Sequence, residues 1–106
     1  MHSLEALYIA QLNDEFRRAG PTADWLATMG ALALSDFPGL MKAVQDFDAF
    51  TPDNDPYGEH DFGNINWRNE KTYWKIDYYD KELVYGEDPL SPLCRRVMTI
   101  LLANEY

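Results

Sequence analysis

The sequence predicts an α+β fold, and three observations carry the prediction. Apolar residues recur at helical spacing near the start, alternate along residues 71–79, and are interrupted by two loops rich in acids, Pro and Gly. The expected architecture is a small antiparallel sheet packed against three helices, at about 4–19, 37–48 and 91–104. A hairpin at about 62–67/71–79 forms the sheet, with a candidate third strand near 24–29, in one domain spanning 1–106.

The first helix is set by Ser3 as its cap, Glu5 at the positive end and Arg17 and Arg18 at the negative end. Leu4, Leu7, Tyr8, Leu12 and Phe16 share a face at spacings of three and four, which marks them as the buried stripe. Gly20-Pro21 stops the helix. Residues 23–34 admit two readings. Trp25–Met29 is a short buried strand broken by Gly30 before a helical turn, or Ala31–Leu34 continue one irregular helix. The next helix has Ser35 or Asp36 as cap, Pro38 in its first turn, and Leu40, Val44 and Phe47 along one side.

The hairpin turns at Arg68-Asn69-Glu70. In its second strand Thr72, Trp74, Ile76 and Tyr78 face one way and Tyr73, Lys75, Asp77 and Tyr79 the other. Gly86, Pro89 and Pro92 mark a second loop. Leu93, Val97, Ile100 and Leu101 then fall at helical spacing, with Cys94 as a buried helix thiol.

Charge is the clearest functional signal. Eighteen acids against nine Lys and Arg give a net charge of −9. Such a chain repels phosphates, so direct duplex DNA binding is not expected, whereas a basic partner surface attracts it. A lone cysteine excludes an internal disulfide framework, and no run approaches the roughly 20 apolar residues of a membrane span. The opening residues lack a basic start followed by an apolar core, and the chain reads as cytoplasmic with no membrane partner.

Six acids and no Lys or Arg lie between Asp46 and Asp61, and the segment DFDAFTPDNDPYGEHDFG that holds them has two prolines and two glycines. Asp53, Asp55, Gly58 and Asp61 fit positions one, three, six and nine of a calcium loop, but Asn64 stands where the bidentate Glu is required. Glu59-His60-Asp61 contains groups suited to metal ligation or acid/base work, yet neighbours in an extended segment diverge. The plainer role for His60 and Asp61 is to hydrogen-bond backbone groups and fix the loop. Asp77 opposite Asp61 is a candidate carboxylate pair with one raised pKa, against a plain solvated strand face. Phosphate-loop glycines, a serine elbow and paired zinc cysteines are absent.

The stretches NDEFRR, DFDAFTPDNDPYGEHDFG, YWKIDYYD and RRVMTILLANEY resemble a bacterial domain-of-unknown-function family of short proteins carried on mobile elements. Pro21 to Met29 departs from the glycine-then-β-branched run of that family. The resemblance implies a genomic setting rather than a reaction. In size, charge and setting the chain is similar to anti-CRISPR and anti-restriction proteins, some of which mimic nucleic acid.

The leading expectation is therefore an inhibitor that binds a basic surface of a host nucleic-acid-handling complex, plausibly type I CRISPR. Its contact acids are Asp53, Asp55, Glu59, Asp80, Glu82, Glu87 and Asp88, with Tyr73, Tyr79 and Tyr85 as aromatic anchors. That reading has no catalytic residue, metal or cofactor. The alternative is a metal-dependent hydrolase using Asp55, Glu59, His60, Asp61 and Asp77, and a third option is a dimer through the aromatic strand face.

Overall fold

Ser3 accepts a hydrogen bond from Ala6 N–H at 3.0 Å and starts α1, Leu4–Arg18. The computed structural model describes residues 2–106. Gly20, at φ +95°, takes the left-handed conformation that turns the chain out of α1. A three-residue strand β1, Trp25–Ala27, precedes the single-turn helix α2, Met29–Leu32, capped by Thr28. The order is that of the strand-then-turn reading of residues 23–34. The strand ends at Ala27 rather than Met29, however, Leu26 is exposed, and Gly30 lies inside α2 instead of breaking the chain before it. At Gly30 a Cβ would lie 2.7 Å from a Glu105 carboxylate oxygen, so a larger residue there would displace the Glu105 side chain. Asp36 caps α3, Phe37–Gln45, by accepting from Gly39 N–H at 3.1 Å. Leu40, Val44 and Phe47 are buried as expected, although the helix ends before Phe47.

The hairpin pairs β2, Phe62–Trp67, with β3, Glu70–Tyr79, from Trp67↔Glu70 to Phe62↔Lys75. Arg68 and Asn69 both have positive φ, the pair of conformations that matches a two-residue turn to strand twist. Thr72, Trp74 and Ile76 are buried, and the alternation along β3 holds.

The expected helix at 91–104 is instead β4, Arg95–Leu102, followed by a 3-10 turn at Ala103–Glu105. The sheet runs β1-β4-β3-β2, with β4 parallel to β1 and antiparallel to β3. Met98 and Ile100 join the helix-side core, while Val97 and Leu101, on the opposite face, are also buried. A central strand covered on both faces loses its alternation, and a short run such as Val-Met-Thr-Ile-Leu-Leu then carries helical spacing by accident. The sheet is consequently mixed, and Cys94 is a half-buried loop residue rather than a helix thiol.

α1 is also rotated from expectation. It buries Ala6, Ile9, Ala10, Asn13 and Arg17, whereas Leu4, Leu7 and Tyr8 are exposed. The two alanines permit close approach, and the two polar side chains donate to backbone carbonyls beneath the helix. Among the described residues, no helix is long and apolar enough to cross a membrane.

Candidate functional site

Both acidic loops meet the sheet at one end. β2 begins at Phe62, β3 ends at Tyr79 and β4 begins at Arg95 opposite Tyr79, so residues 46–61 and 80–94 leave the same edge. The inward face of α1 fastens both of them.

Within the first loop, Thr51 N–H donates to Asn54 Oδ1 at 2.9 Å and Asn54 N–H to Thr51 Oγ1 at 3.3 Å. Asn54 also donates to Ala49 O at 3.0 Å, and Asp55 N–H donates to Thr51 O at 2.8 Å. These short polar residues close the turn on itself. Gly58 at φ +69° and His60 at φ +55° then make the corner that feeds β2.

His60 is clasped on every side. Its Nδ1 lies 3.0 Å from an Asp14 oxygen, its Nε2 lies 3.6 Å from Asp55 Oδ2, and its ring stacks on Phe50 at 3.8 Å. Its backbone N–H donates to Asp55 Oδ1 at 3.2 Å. His60 therefore fixes the loop, as the plainer reading held, but its ring does so through carboxylates rather than backbone. Nδ1 is engaged by Asp14, whereas Nε2 lies beyond hydrogen-bond distance of Asp55 on a ring that is 28% exposed.

Asp14 also receives Arg17 Nη1 at 3.3 Å. The fully buried Arg17 donates from Nε to Val44 O at 3.0 Å and from Nη2 to Phe47 O at 2.6 Å, closing the end of α3. Its guanidinium lies 4.9 Å from the Trp74 ring centroid. Burial lowers the Arg17 pKa, and the Asp14 carboxylate opposes that shift.

One turn away, Asn13 donates to Glu59 O and to the Tyr78 hydroxyl, each at 2.9 Å, and accepts from Arg96 Nε at 2.7 Å. Arg96 Nη2 reaches Pro89 O at 2.7 Å, so a single buried asparagine ties both loops to the sheet. Burial pushes the Tyr78 phenol well above its ordinary range.

The expected contact acids divide. Asp55 is only 7% exposed and faces His60, which corrects its assignment as a residue available to a partner. Asp80 is half-buried and caps its own turn by accepting from Val84 N–H at 2.9 Å. Glu59 is half-buried, and burial, with Asp61 and Asp55 nearby, raises its pKa. Asp53, Glu82 and Asp88 are exposed and Glu87 is partly exposed. Among the aromatics, Tyr85 is exposed and Tyr79 half-buried. Tyr73 packs 5.0 Å from Phe62 and 5.8 Å from Tyr106 between centroids, so it belongs to a cluster covering the second sheet face.

Asp55, Asp61 and Asp77 line one shallow cleft of about 470 Å³. Asp61 has a raised pKa, first from burial, then from Asp55 and Asp77, with its own backbone N–H opposing. Asp77 pairs with Lys75 at 3.1 Å. Among the described residues, no three His, Cys, Asp or Glu side chains are grouped so as to hold a metal ion. Burial raises the pKa of Cys94, which keeps it a thiol.

Asn13, Asp14, Arg17 and Arg96 organise this end of the molecule, and sequence reasoning gave none of them a site role. Their signal was a second set of three-and-four spacings in α1, Ala6-Ala10-Asn13-Arg17, beside the more apolar stripe.

The model of a family described as a protein of unknown function, DUF3768, matches residues 26–105. The chain belongs to the DUF3768 family. The DUF3768 match covers β2, β3, β4, all of β1 but Trp25, and both acidic loops, and α1 lies outside it. No curated protein and no solved structure matches the chain.

Proposed function

We propose that this DUF3768 protein is a mobile-element inhibitor that docks its acidic sheet end on the phosphate-holding surface of a host defence complex, in the manner of anti-CRISPR proteins of type I systems. The observation that carries the reading is the unpaired state of Asp53, Glu82, Glu87 and Asp88, which take part in no ion pair among the described residues and leave one end of the sheet. The cations of the second loop's surroundings are engaged elsewhere, Arg95 on Asp24 at 2.8 Å and Arg96 on Asn13. Uncompensated carboxylates at this end favour encounter with Lys and Arg that otherwise hold nucleic acid.

Binding to a purified type I interference complex, measured by calorimetry at low and moderate salt, tests the proposal. The expected result is salt-sensitive binding that competes with nucleic acid and is lost in the Asp53→Lys, Glu82→Lys, Glu87→Lys, Asp88→Lys variant. Undiminished binding by that variant, or none by the native chain at low salt, would overturn it.

A second reading, a metal-dependent hydrolase, is favoured by one arrangement: Asp55, Asp61 and Asp77 share a cleft in which burial raises Asp61. Metal analysis of the native protein and the activity of His60→Ala and Asp61→Asn variants decide it. An apo protein whose biological activity survives both changes removes this reading.

A further inference from the structure

Eight of the thirteen large hydrophobic side chains that stand exposed among the described residues come from the first two turns of α1 and the 80–94 loop. Leu4 is 84% exposed and Tyr8 61%, and with Glu5 and Leu90 they line an open, shallow groove of about 410 Å³. This apolar stripe cannot be hidden by rotating the helix. The opposite face of α1 is held by Ala6 and Ala10 in close packing and by the buried hydrogen bonds of Asn13 and Arg17. Leu4, Tyr8 and Leu90, brought together in water beside a locked helix, mark an interaction site.

Charge selects the occupant. Glu5 lies in the groove, and Glu87 and Asp88 immediately precede the Pro89-Leu90 segment without ion-pair partners among the described residues. Of the neighbouring cations, Arg96 is committed inward, to Asn13 and Pro89 O, each at 2.7 Å, and the exposed Lys81 donates to Cys94 O at 3.3 Å. An anionic lipid surface would be repelled by this rim, and a second copy of the chain would set acid against acid.

We propose that the groove between α1 and Leu90 receives an amphipathic helix of a partner protein, with an apolar stripe flanked by Lys and Arg. The inference rests on the acidic docking reading above and deepens it. The apolar groove anchors the contact, and the carboxylates flank it, as in interfaces with an apolar centre and a polar rim.

A fluorescent Lys/Leu peptide of about five helical turns is the probe, beside a scrambled Lys/Leu peptide and a Glu/Leu peptide that keeps the apolar stripe. Anisotropy titrations with the full chain should show binding of the ordered Lys/Leu peptide alone. The Leu4→Ser, Tyr8→Ser variant should weaken it by about tenfold or more, as loss of an anchor pair does. Leu90→Ser repeats the test from the other wall of the groove. Thermal midpoints accompany each titration, since these side chains are exposed and their loss should leave the fold intact. Glu87→Lys, Asp88→Lys should weaken binding and flatten its salt dependence. Equal binding of the Glu/Leu peptide, or binding indifferent to both groove variants, would overturn the inference. So would equal binding of the scrambled peptide, a result that leaves charge-driven docking on the interference complex standing.

Discussion

The two loops that leave the acidic end of the sheet are alike in composition and opposite in construction. Residues 46–61 hold six acids with no Lys or Arg, and residues 80–94 hold four acids with one Lys. The first loop turns its polar groups inward. Asp55 and Asp14 clasp His60, Thr51 and Asn54 close a turn, and Asn13 holds Glu59 O, which leaves Asp46, Asp48 and Asp53 as its outward acids, Asp46 beside Lys42. The second loop is tethered through Arg96 on Pro89 O and Lys81 on Cys94 O, and exposes Glu82, Asp88 and Tyr85. A run of acids is thus no guide to its use. What decides is whether a buried cation or amide lies within reach, and for the first loop α1 supplies one at each turn.

The largest effect should follow from removing the common anchor. Arg17→Ala leaves the Phe47 carbonyl without its donor and the Val44 carbonyl with only the Phe47 N–H, at 3.2 Å, and takes the buried charge partner from Asp14. Loss of a buried charged partner costs about 3–5 kcal/mol, a large share of a small domain's stability. Urea denaturation should show a fall of that size, with the end of α3 and the first loop exchanging amide hydrogens fastest. A loss below ~1 kcal/mol would show that these contacts do not hold α3.

His60→Ala separates the two loops more finely. It removes the stacking on Phe50 and the contacts to Asp14 and Asp55, all of which belong to residues 46–61 and α1. The expected cost is about 1–3 kcal/mol. Hydrogen exchange should rise from Thr51 to Asp61 and stay unchanged from Asp80 to Cys94. Equal loosening of both loops would mean that they form one cooperative unit and that the contrast drawn here is wrong.

How far the sequence foretold this arrangement depends on the kind of residue involved. The hairpin was legible because alternation from Thr72 to Tyr78 is a local property, and Arg68-Asn69 sits where a two-residue turn must fall. β4 was not, because a strand between two others has no polar face to display. The buried side of α1 was misread for a related reason. Hydrophobicity ranked Leu4, Leu7 and Tyr8 above Ala6, Asn13 and Arg17, but the surface beneath the helix presents Glu59 O, Val44 O and Phe47 O as acceptors for Asn13 and Arg17. Those carbonyls come from residues 27 to 46 positions away, so no local pattern announces them. His60 was placed correctly as a structural residue, while its true partner Asp14 lay on an element read as independent of the loop.

Asp61 gives a smaller, pH-dependent test. Its folded pKa is raised above 3.8 by burial and by Asp55 and Asp77, so its ionisation opposes folding. The cost is fully present above the folded value, shrinks as pH falls through it, and is gone below 3.8. Asp61→Asn should therefore raise the thermal midpoint at pH 7 and give no gain at pH values below the unfolded one. A gain that persists in acid would assign the effect to packing rather than to charge.

The smallest effects should come from the acids that face water, Asp53 in one loop and Glu82 in the other. Both are exposed and lie in no ion pair among the described residues, so Asp53→Asn and Glu82→Gln remove no structural contact. Each also relieves one of the nine net negative charges, which repel one another. The expected change is within about 0.5 kcal/mol and towards stability. Because the benefit is purely Coulombic between exposed groups, it should fade as salt brings the screening length to about 8 Å. Thermal midpoints at low and physiological ionic strength measure this directly. A destabilisation by either variant, surviving at high salt, would show that its loop uses that acid structurally, as the first loop uses Asp55.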